Sequence, residues 1–317
     1  MKKCVIIINP QSGKKKKITT YEEFYDRLRK YGYDTEIIIT KAKGHAKNIM
    51  EELDDDIDLV ISAGGDGTLN EIVNGNMRRR KKLIIAPLPL GSTNDVGGMY
   101  GLDNNVYNNL EKILQGEVRK VDICYINNTP FVYVACFGDY IDMSYSTPRS
   151  LKEKYGKIAY VLYGMKQFRP KINTHEIKYR IDGKEYEGTY SFIFISNSSR
   201  IAGQPDIYYD IKLDDNLFEV ALANVKNFQE MAKLIVLLTT IDAKKIPNIT
   251  YYQTDNFEIE FKESLNTSWC IDGEEYEKDT RIFKFNVDQK MKMLIPKENI
   301  NELFNVKKTK DKYEKNK

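Results

Sequence analysis

The sequence predicts an α/β protein in two parts: a doubly wound parallel sheet over residues 1–123, then a β-rich part over 124–298 folded as an antiparallel sandwich. Three observations carry this reading. Apolar strands alternate with amphipathic helical segments through Ala86. A glycine-rich turn, Gly64-Gly65-Asp66-Gly67, directly follows an apolar strand. From Val121 onward strand-like segments dominate, and Asp182-Gly183 and Asp272-Gly273 are hairpin signals between them. A βαβα order calls for a sheet covered on both faces, and such sheets bind ligands beyond the carboxyl ends of their strands.

The elements follow in order. Cys4 to Ile8 is the first strand, stopped by Asn9-Pro10. Tyr21 to Tyr31 places Phe24, Leu28 and Tyr31 on one helical face. Thr35 to Thr40 is a strand, Ala46 to Leu53 a helix, Ile57 to Ser62 a buried strand, Glu71 onward a short helix, and Leu83 to Ala86 a strand. The later strands are Phe131 to Phe137, His175 to Arg180, Tyr190 to Ser196, Leu217 to Leu222, Phe257 to Phe261, Thr267 to Ile271, Ile282 to Val287 and Met291 to Ile295. Two helices, Ser150 to Phe168 and Phe228 to Ile241, interrupt them. In the segment 299–317, Ile300, Leu303 and Phe304 form an apolar face suited to packing back on the first part, and the polar tail after Val306 is expected to be disordered.

Composition narrows the function. A chain of 317 residues exceeds one ordinary hydrophobic core. A net charge of +3 gives no argument for nucleic acid, although basic residues cluster at Lys14 to Lys17, Arg78 to Lys82 and Lys307 to Lys317. Such runs are solvated faces or attractors of phosphate and anionic membrane. The four cysteines show no C-x-x-C spacing and fit buried thiols of a reduced cytoplasm. With only His45 and His175 available, both expected at the surface, the sequence argues against a His-rich zinc site or a Ser-His-Asp triad. The apolar runs Val5 to Ile8 and Leu234 to Leu238 are too short for a signal-peptide core or a membrane span.

Chemistry concentrates at the glycine turn. Glycines between a strand and a helix let backbone N–H groups approach an anion, and the helix N-terminus adds a favourable dipole. Gly64, Gly65, Asp66, Gly67, Thr68, Asn70 and Glu71 therefore read as a phosphate cradle. Asn9, Pro10, Ser12 and Gly13 form a second polar turn after the first strand. Gly91-Ser92-Thr93-Asn94 forms a third, with Thr93 and Asn94 as ligand-binding candidates.

These motifs, taken with Tyr145-Ser146-Thr147, Gly156-Lys157-Ile158-Ala159-Tyr160 and Asp272-Gly273-Glu274, resemble the diacylglycerol kinase catalytic-domain family, which includes bacterial lipid kinases and is related to sphingosine and ceramide kinases. The likeness spans nearly the whole chain. The glycine turn alone is shared with NAD kinases and phosphofructokinases. What the resemblance implies is an ATP- and Mg²⁺-dependent kinase acting on a lipid hydroxyl, with diacylglycerol first because the motifs at 145–147 and 156–160 look most like those of bacterial diacylglycerol kinases. It implies that Thr40 contacts ATP, that Glu274 is the general base, and that Asp272 supports it. Asp66, beside the phosphate turn, suits Mg²⁺. The family's usual Gly-Thr-Gly-Asn reads Gly91-Ser92-Thr93-Asn94 here, which bears on the backbone path but keeps two hydroxyls for a phosphate.

A second metal is implied at Lys212-Leu213-Asp214-Asp215-Asn216-Leu217, with the carbonyls of Lys212 and Leu217 and the carboxylate of Asp215 as ligands; the alternative is a turn without metal. Asn216 replaces the usual glycine and tolerates positive φ. The apolar face of Ile158, Val161, Leu162 and Met165 is either a contact for acyl chains or core. The expected partner is a lipid presented at a membrane surface, met from the cytoplasm by peripheral contact, and exposed strand edges suit a homodimer. Two rival readings remain: a soluble-substrate kinase of NAD kinase type, and a catalytically silent lipid-binding protein on the same fold.

Overall fold

Apolar, β-branched runs build the first half of a large sheet, A: β1 (Lys2–Ile8), β2 (Tyr33–Ile39), β3 (Leu59–Gly64) and β4 (Ile85–Pro89). They lie parallel in the order β2-β1-β3-β4. Between them run α1 (Glu22–Lys30), α2 (His45–Glu52) and α3 (Asp66–Arg78). Helix α1 buries Phe24 and Leu28 as its periodicity requires, and α3 begins five residues before Glu71, directly at the glycine turn. The computed structural model describes residues 1–13, 21–138, 172–204, 206–238, 240–265 and 267–305.

Two short helices, α4 (Asp95–Met99) and α5 (Val106–Leu114), then lead into β5 (Glu117–Ile126), β6 (Thr129–Phe131) and β7 (Val134–Gly138). The remaining elements are β8 (His175–Ile181), β9 (Lys184–Tyr190), β10 (Phe192–Ser196), β11 (Phe218–Ala223), α6 (Phe228–Leu238), β12 (Ile249–Thr254), β13 (Asn256–Phe261), β14 (Trp269–Ile271), β15 (Glu274–Tyr276), β16 (Ile282–Ile295) and α7 (Ile300–Leu303). Sheet B has six strands in the order β12-β11-β10-β7-β14-β15, antiparallel throughout. Both Asp-Gly hairpins are present, with φ values of +50° and +74° at Asp182-Gly183 and +50° and +88° at Asp272-Gly273. Positive φ at both turn positions is what a two-residue hairpin needs.

The segments Ile282–Val287 and Met291–Ile295, read separately from sequence, are one strand. Polar Asp288, Gln289 and Lys290 interrupt its apolar alternation, and a register shift between Val287 and Gln289 absorbs them. This strand joins the halves: Met293 pairs in parallel with Ile85 of β4, while other residues pair antiparallel with β5 and β13. Sheet A thus runs unbroken through eight strands from β2 to β9, with β5 and β6 branching from β16 to make ten, and position 123/124 falls inside β5.

The antiparallel half of sheet A faces sheet B across an aromatic core. Trp269 lies with its ring 5.1–5.4 Å from those of Phe137, Phe283 and Phe285, and Phe257 and Phe261 complete the layer. Each such ring removed from water contributes about 1.5–3 kcal/mol. All four cysteines are buried thiols outside any disulfide. The histidines are half-buried rather than superficial: His45 Nδ1 accepts the N–H of Lys41 (2.9 Å), and His175 lies edge-on to Phe137 (5.1 Å). Ile300, Leu303 and Phe304 are buried in the core of the parallel half, and Asn299 donates to the Met99 carbonyl of α4 (3.0 Å). No described helix is long and apolar enough to cross a membrane. Lys14 to Lys17, the motifs at 145–147 and 156–160, the helix Ser150 to Phe168 with its apolar face, and the tail Lys307 to Lys317 lie outside the described residues.

Candidate active site

The carboxyl ends of β1, β3 and β4 deliver three turns to one place. Asn9 donates from its side chain to Thr68 Oγ1 (3.0 Å) and accepts the N–H of Gln11 (3.0 Å), which ties the first turn to α3. Ser12 Oγ accepts the N–H of Gly65 (3.2 Å), while Pro10 stands exposed at the tip. Gly13 has φ +63°, and a Cβ there would sit 1.9 Å from the Leu90 carbonyl oxygen. A Cβ on Gly91 would sit 2.7 Å from the Gly65 Cα. The three turns therefore pack backbone on backbone, leaving no room for side chains. Thr40, buried at the end of β2, bonds through its N–H to Ile8 (2.8 Å) at this same end of the sheet. The left-handed residue of the third turn is Asn94 (φ +53°), not Thr93, so the missing family glycine is not required by the backbone here. Asn94 stands at the N-cap of α4, but its amide turns back to the Gly91 carbonyl (2.8 Å).

Two cradle candidates face protein groups. Both oxygens of Glu71 accept N–H groups at the start of α2, from Gly44 (2.8 Å) and Ala46 (3.1 Å). The Asn70 amide donates to Asp272 Oδ2 (2.7 Å). These residues hold the walls of the site in place.

The acidic residues converge. Asp66 accepts N–H groups of Asp95 (3.1 Å) and Val96 (3.4 Å); burial first, and then the charge of Asp95, pushes its carboxyl up to about 7. Asp95 is itself fully buried, taking the N–H of Gly203 (2.6 Å) with Arg200 Nε at 3.4 Å. The Tyr133 phenol is buried within the field of Asp66, Asp95 and Asp272, and burial followed by those charges holds it protonated.

Asp272 occupies the β14–β15 turn and accepts four hydrogen bonds, from Asn70 and from the N–H groups of Val132 (2.7 Å), Tyr133 (3.0 Å) and Val134 (3.1 Å). Burial raises its pKa and those donors oppose the rise. Two residues on, Glu274 Oε1 lies 3.0 Å from where a Cβ on Gly67 would stand, beside Asp66 in the first turn of α3. Its other oxygen is ion-paired with Lys43 Nζ at 2.5 Å, across the gap from the β2–α2 loop.

A family model for the diacylglycerol kinase catalytic domain matches residues 3–126. Two curated diacylglycerol kinases of Staphylococcus aureus, from strains bovine RF122 / ET3-1 and MRSA252, are each 30% identical over 302 residues, covering 95% of this chain and 95% of theirs. This chain belongs to the diacylglycerol kinase family. The crystal structure of a diacylglycerol kinase from Bacillus anthracis strain Sterne superposes with a TM-score of 0.75 over 94% of this chain and 99% of that one, at 23% identity, and shows the common fold. Membership makes the chain a kinase, a phosphotransferase, and implies use of ATP. The glycine turns, where a side chain would collide with backbone, fit a nucleotide's phosphates.

The diacylglycerol kinase-like motif at 212–217 forms a separate place before β11. Asn216 has φ +63°, so the turn forms without glycine. Asp215 Oδ1 accepts the N–H of Leu217 (3.0 Å), and the Lys212 ammonium reaches the carbonyls of Asn301 and Glu302. Sequence reading missed several neighbours of the two places: Lys43, Arg200 and Asp95 at the first, and Asp122, Glu219 and Lys290 at the second. Asp95 alone had a signal, standing next to the Gly91 turn; the others are single residues on unremarkable strands and loops.

Proposed function

We propose that this chain is an ATP- and Mg²⁺-dependent lipid kinase that transfers the γ-phosphoryl group to the hydroxyl of diacylglycerol, giving phosphatidic acid. The observation that carries this is the position of Glu274 against Gly67, one residue from Asp66, although 208 positions separate the two acids in the chain. ATP with its metal would supply the transferred group and neutralise its charge. The chain's part is positioning. The first turn of α3, whose leading N–H groups have no intrahelical acceptors, would receive phosphate oxygens at the glycine turn. Asp66 would hold Mg²⁺. Glu274 would take the proton of the lipid hydroxyl, within a site whose floor Asp272 fixes. Lys43 would leave Glu274 for the γ-phosphate, freeing the base as the nucleotide arrives.

The lipid would be met at a membrane surface by peripheral contact from the cytoplasm, with no nucleic acid partner. The strand edges β2 and β9 of sheet A and β12 and β15 of sheet B are available for a homodimer.

The test is transfer of labelled phosphate from ATP with diacylglycerol, sphingosine, ceramide and NAD offered in parallel. Label in phosphatidic acid is expected. Label in NADP would make this a soluble-substrate enzyme, and absence of transfer with retained lipid binding would make it a silent binder.

A further inference from the structure

Cys136 of β7 and Cys270 of β14 stand directly opposite one another in sheet B, although 134 positions separate them in the chain. The Asp272 N–H bonds the Val134 carbonyl (2.9 Å), so that pair is a hydrogen-bonded one; alternation along an antiparallel ladder makes the cysteine pair, two residues away, another. The Cα atoms of such a pair lie about 5.5 Å apart, which is the commonest span of a disulfide. Both side chains leave the sheet on the same face. Cys136 and Cys270 belong with Tyr133 and Val134 to the core of the parallel half, whereas Ala135, Phe137, Trp269 and Ile271 belong to the aromatic core. The Cys136 thiol is hydrogen-bonded to that of Cys270, and this bond together with burial pushes it up.

The other two cysteines have no such neighbour: Cys4 pairs with Thr35 and Leu59, and Cys124 with Val287 and Phe131. The position of the pair also matters. Two ladder pairs join β14 to β7, and this is one of them. Beyond β14 lies only the edge strand β15, which carries Glu274. The hairpin therefore hangs on sheet B by a short ladder and by the bonds of Asp272.

We propose that Cys136 and Cys270 form an oxidation site, a dithiol that closes in the folded protein to a disulfide and staples the Glu274 hairpin to β7. Burial shields the pair from bulky reagents, so the oxidant that fits is a small neutral hydroperoxide, and closure should be slower than at an exposed thiolate. Cys136, 8% exposed against 2% for Cys270, reacts first. Its sulfur takes one peroxide oxygen as the O–O bond breaks and water leaves; the Cys270 sulfur then displaces that oxygen as a second water while the S–S bond forms. Each sulfur loses one electron, each peroxide oxygen gains one, and both thiol protons depart in the water. A thiol reductant reverses the closure.

The test treats the full-length protein with hydrogen peroxide in the absence of denaturant, followed by alkylation and peptide mapping. One intrachain link between 136 and 270 is expected, with Cys4 and Cys124 still reduced and the link cleaved by dithiothreitol. Because the link closes a long loop, the melting temperature should rise by several degrees. Amide exchange over Trp269–Tyr276 should slow. Cys136→Ala and Cys270→Ala should each abolish all three responses, and the mapping on the unaltered chain stands whether or not these variants fold. Sulfinic acid at Cys136 without a link, a link that forms only in urea, or a linked protein that melts no higher than the reduced one would overturn the proposal. No readout involves phosphoryl transfer, so the result is independent of the activity assigned above.

Discussion

Asp66 carries a pH signature. Its folded pKa of about 7 exceeds the ordinary 3.8, so the folded state holds this proton more tightly than the unfolded chain. The stability that this lends is complete below the ordinary value and lost as pH rises through about 7. The ceiling, about 1.4 kcal/mol for each unit of difference, is on the order of 4 kcal/mol. Asp66→Asn cannot undergo this loss. Without nucleotide or divalent cation, its melting temperature should therefore gain on the wild type between pH 4 and pH 7.5 and hold a constant offset above; parallel curves would contradict the burial argument. At Glu274, removal of the proposed proton acceptor in Glu274→Gln should lower kcat by about 10²–10⁴ while leaving the KM for ATP within a few-fold. Lys43→Met should raise the KM for ATP roughly tenfold, about 1.4 kcal/mol of binding, and an unchanged KM would remove Lys43 from the phosphate. At this scale the sequence singled out Asp66, Asp272 and Glu274 as candidates but did not reveal what holds them. Nothing local links Asp272 to three N–H groups of the β6–β7 connection, or Glu71 to the start of α2, because both partnerships depend on contacts made only in the fold.

Turns and strands carry the next set of consequences. The turn after β1 closes against the turn after β4 at Gly13, so Gly13→Ala must displace Leu90 as well as strain a positive φ. It should lower the melting temperature and weaken nucleotide binding together, checked by calorimetry and by titration with an ATP analogue. The β14–β15 hairpin is fastened by Asp272. Asp272→Ala strands four donors and should cost about 3–5 kcal/mol, with kcat falling because Glu274 loses its support, as a urea melt and initial rates would reveal. Periodicity made most of these elements legible, including both Asp-Gly hairpins. Helix α4 escaped because five residues with two glycines show no apolar repeat. Helix α5 need not have escaped: Val106, Leu110 and Ile113 carry the spacing that it buries.

For the whole molecule, the sequence pointed to an α/β half followed by a sandwich, and both are present. It could not reveal that β16, from the far end of the chain, lies between β4 and β13 in one sheet, since pairing across some 200 positions leaves no local trace. A fragment of residues 1–126, which contains the catalytic-domain match at 3–126, lacks β16 and its long pairing with β5. It should show no cooperative urea transition, whereas the full chain should; a sharply melting fragment would mean that the first part is self-sufficient.

The shared strand also limits how the protein can move. Two bodies joined by a loose linker could swing freely, but here any widening between the glycine turns and Glu274 has to flex a single hydrogen-bonded fabric. Nucleotide docking on one side should then slow amide exchange in the sandwich as well, making the resting enzyme a spring rather than a pair of hinged jaws.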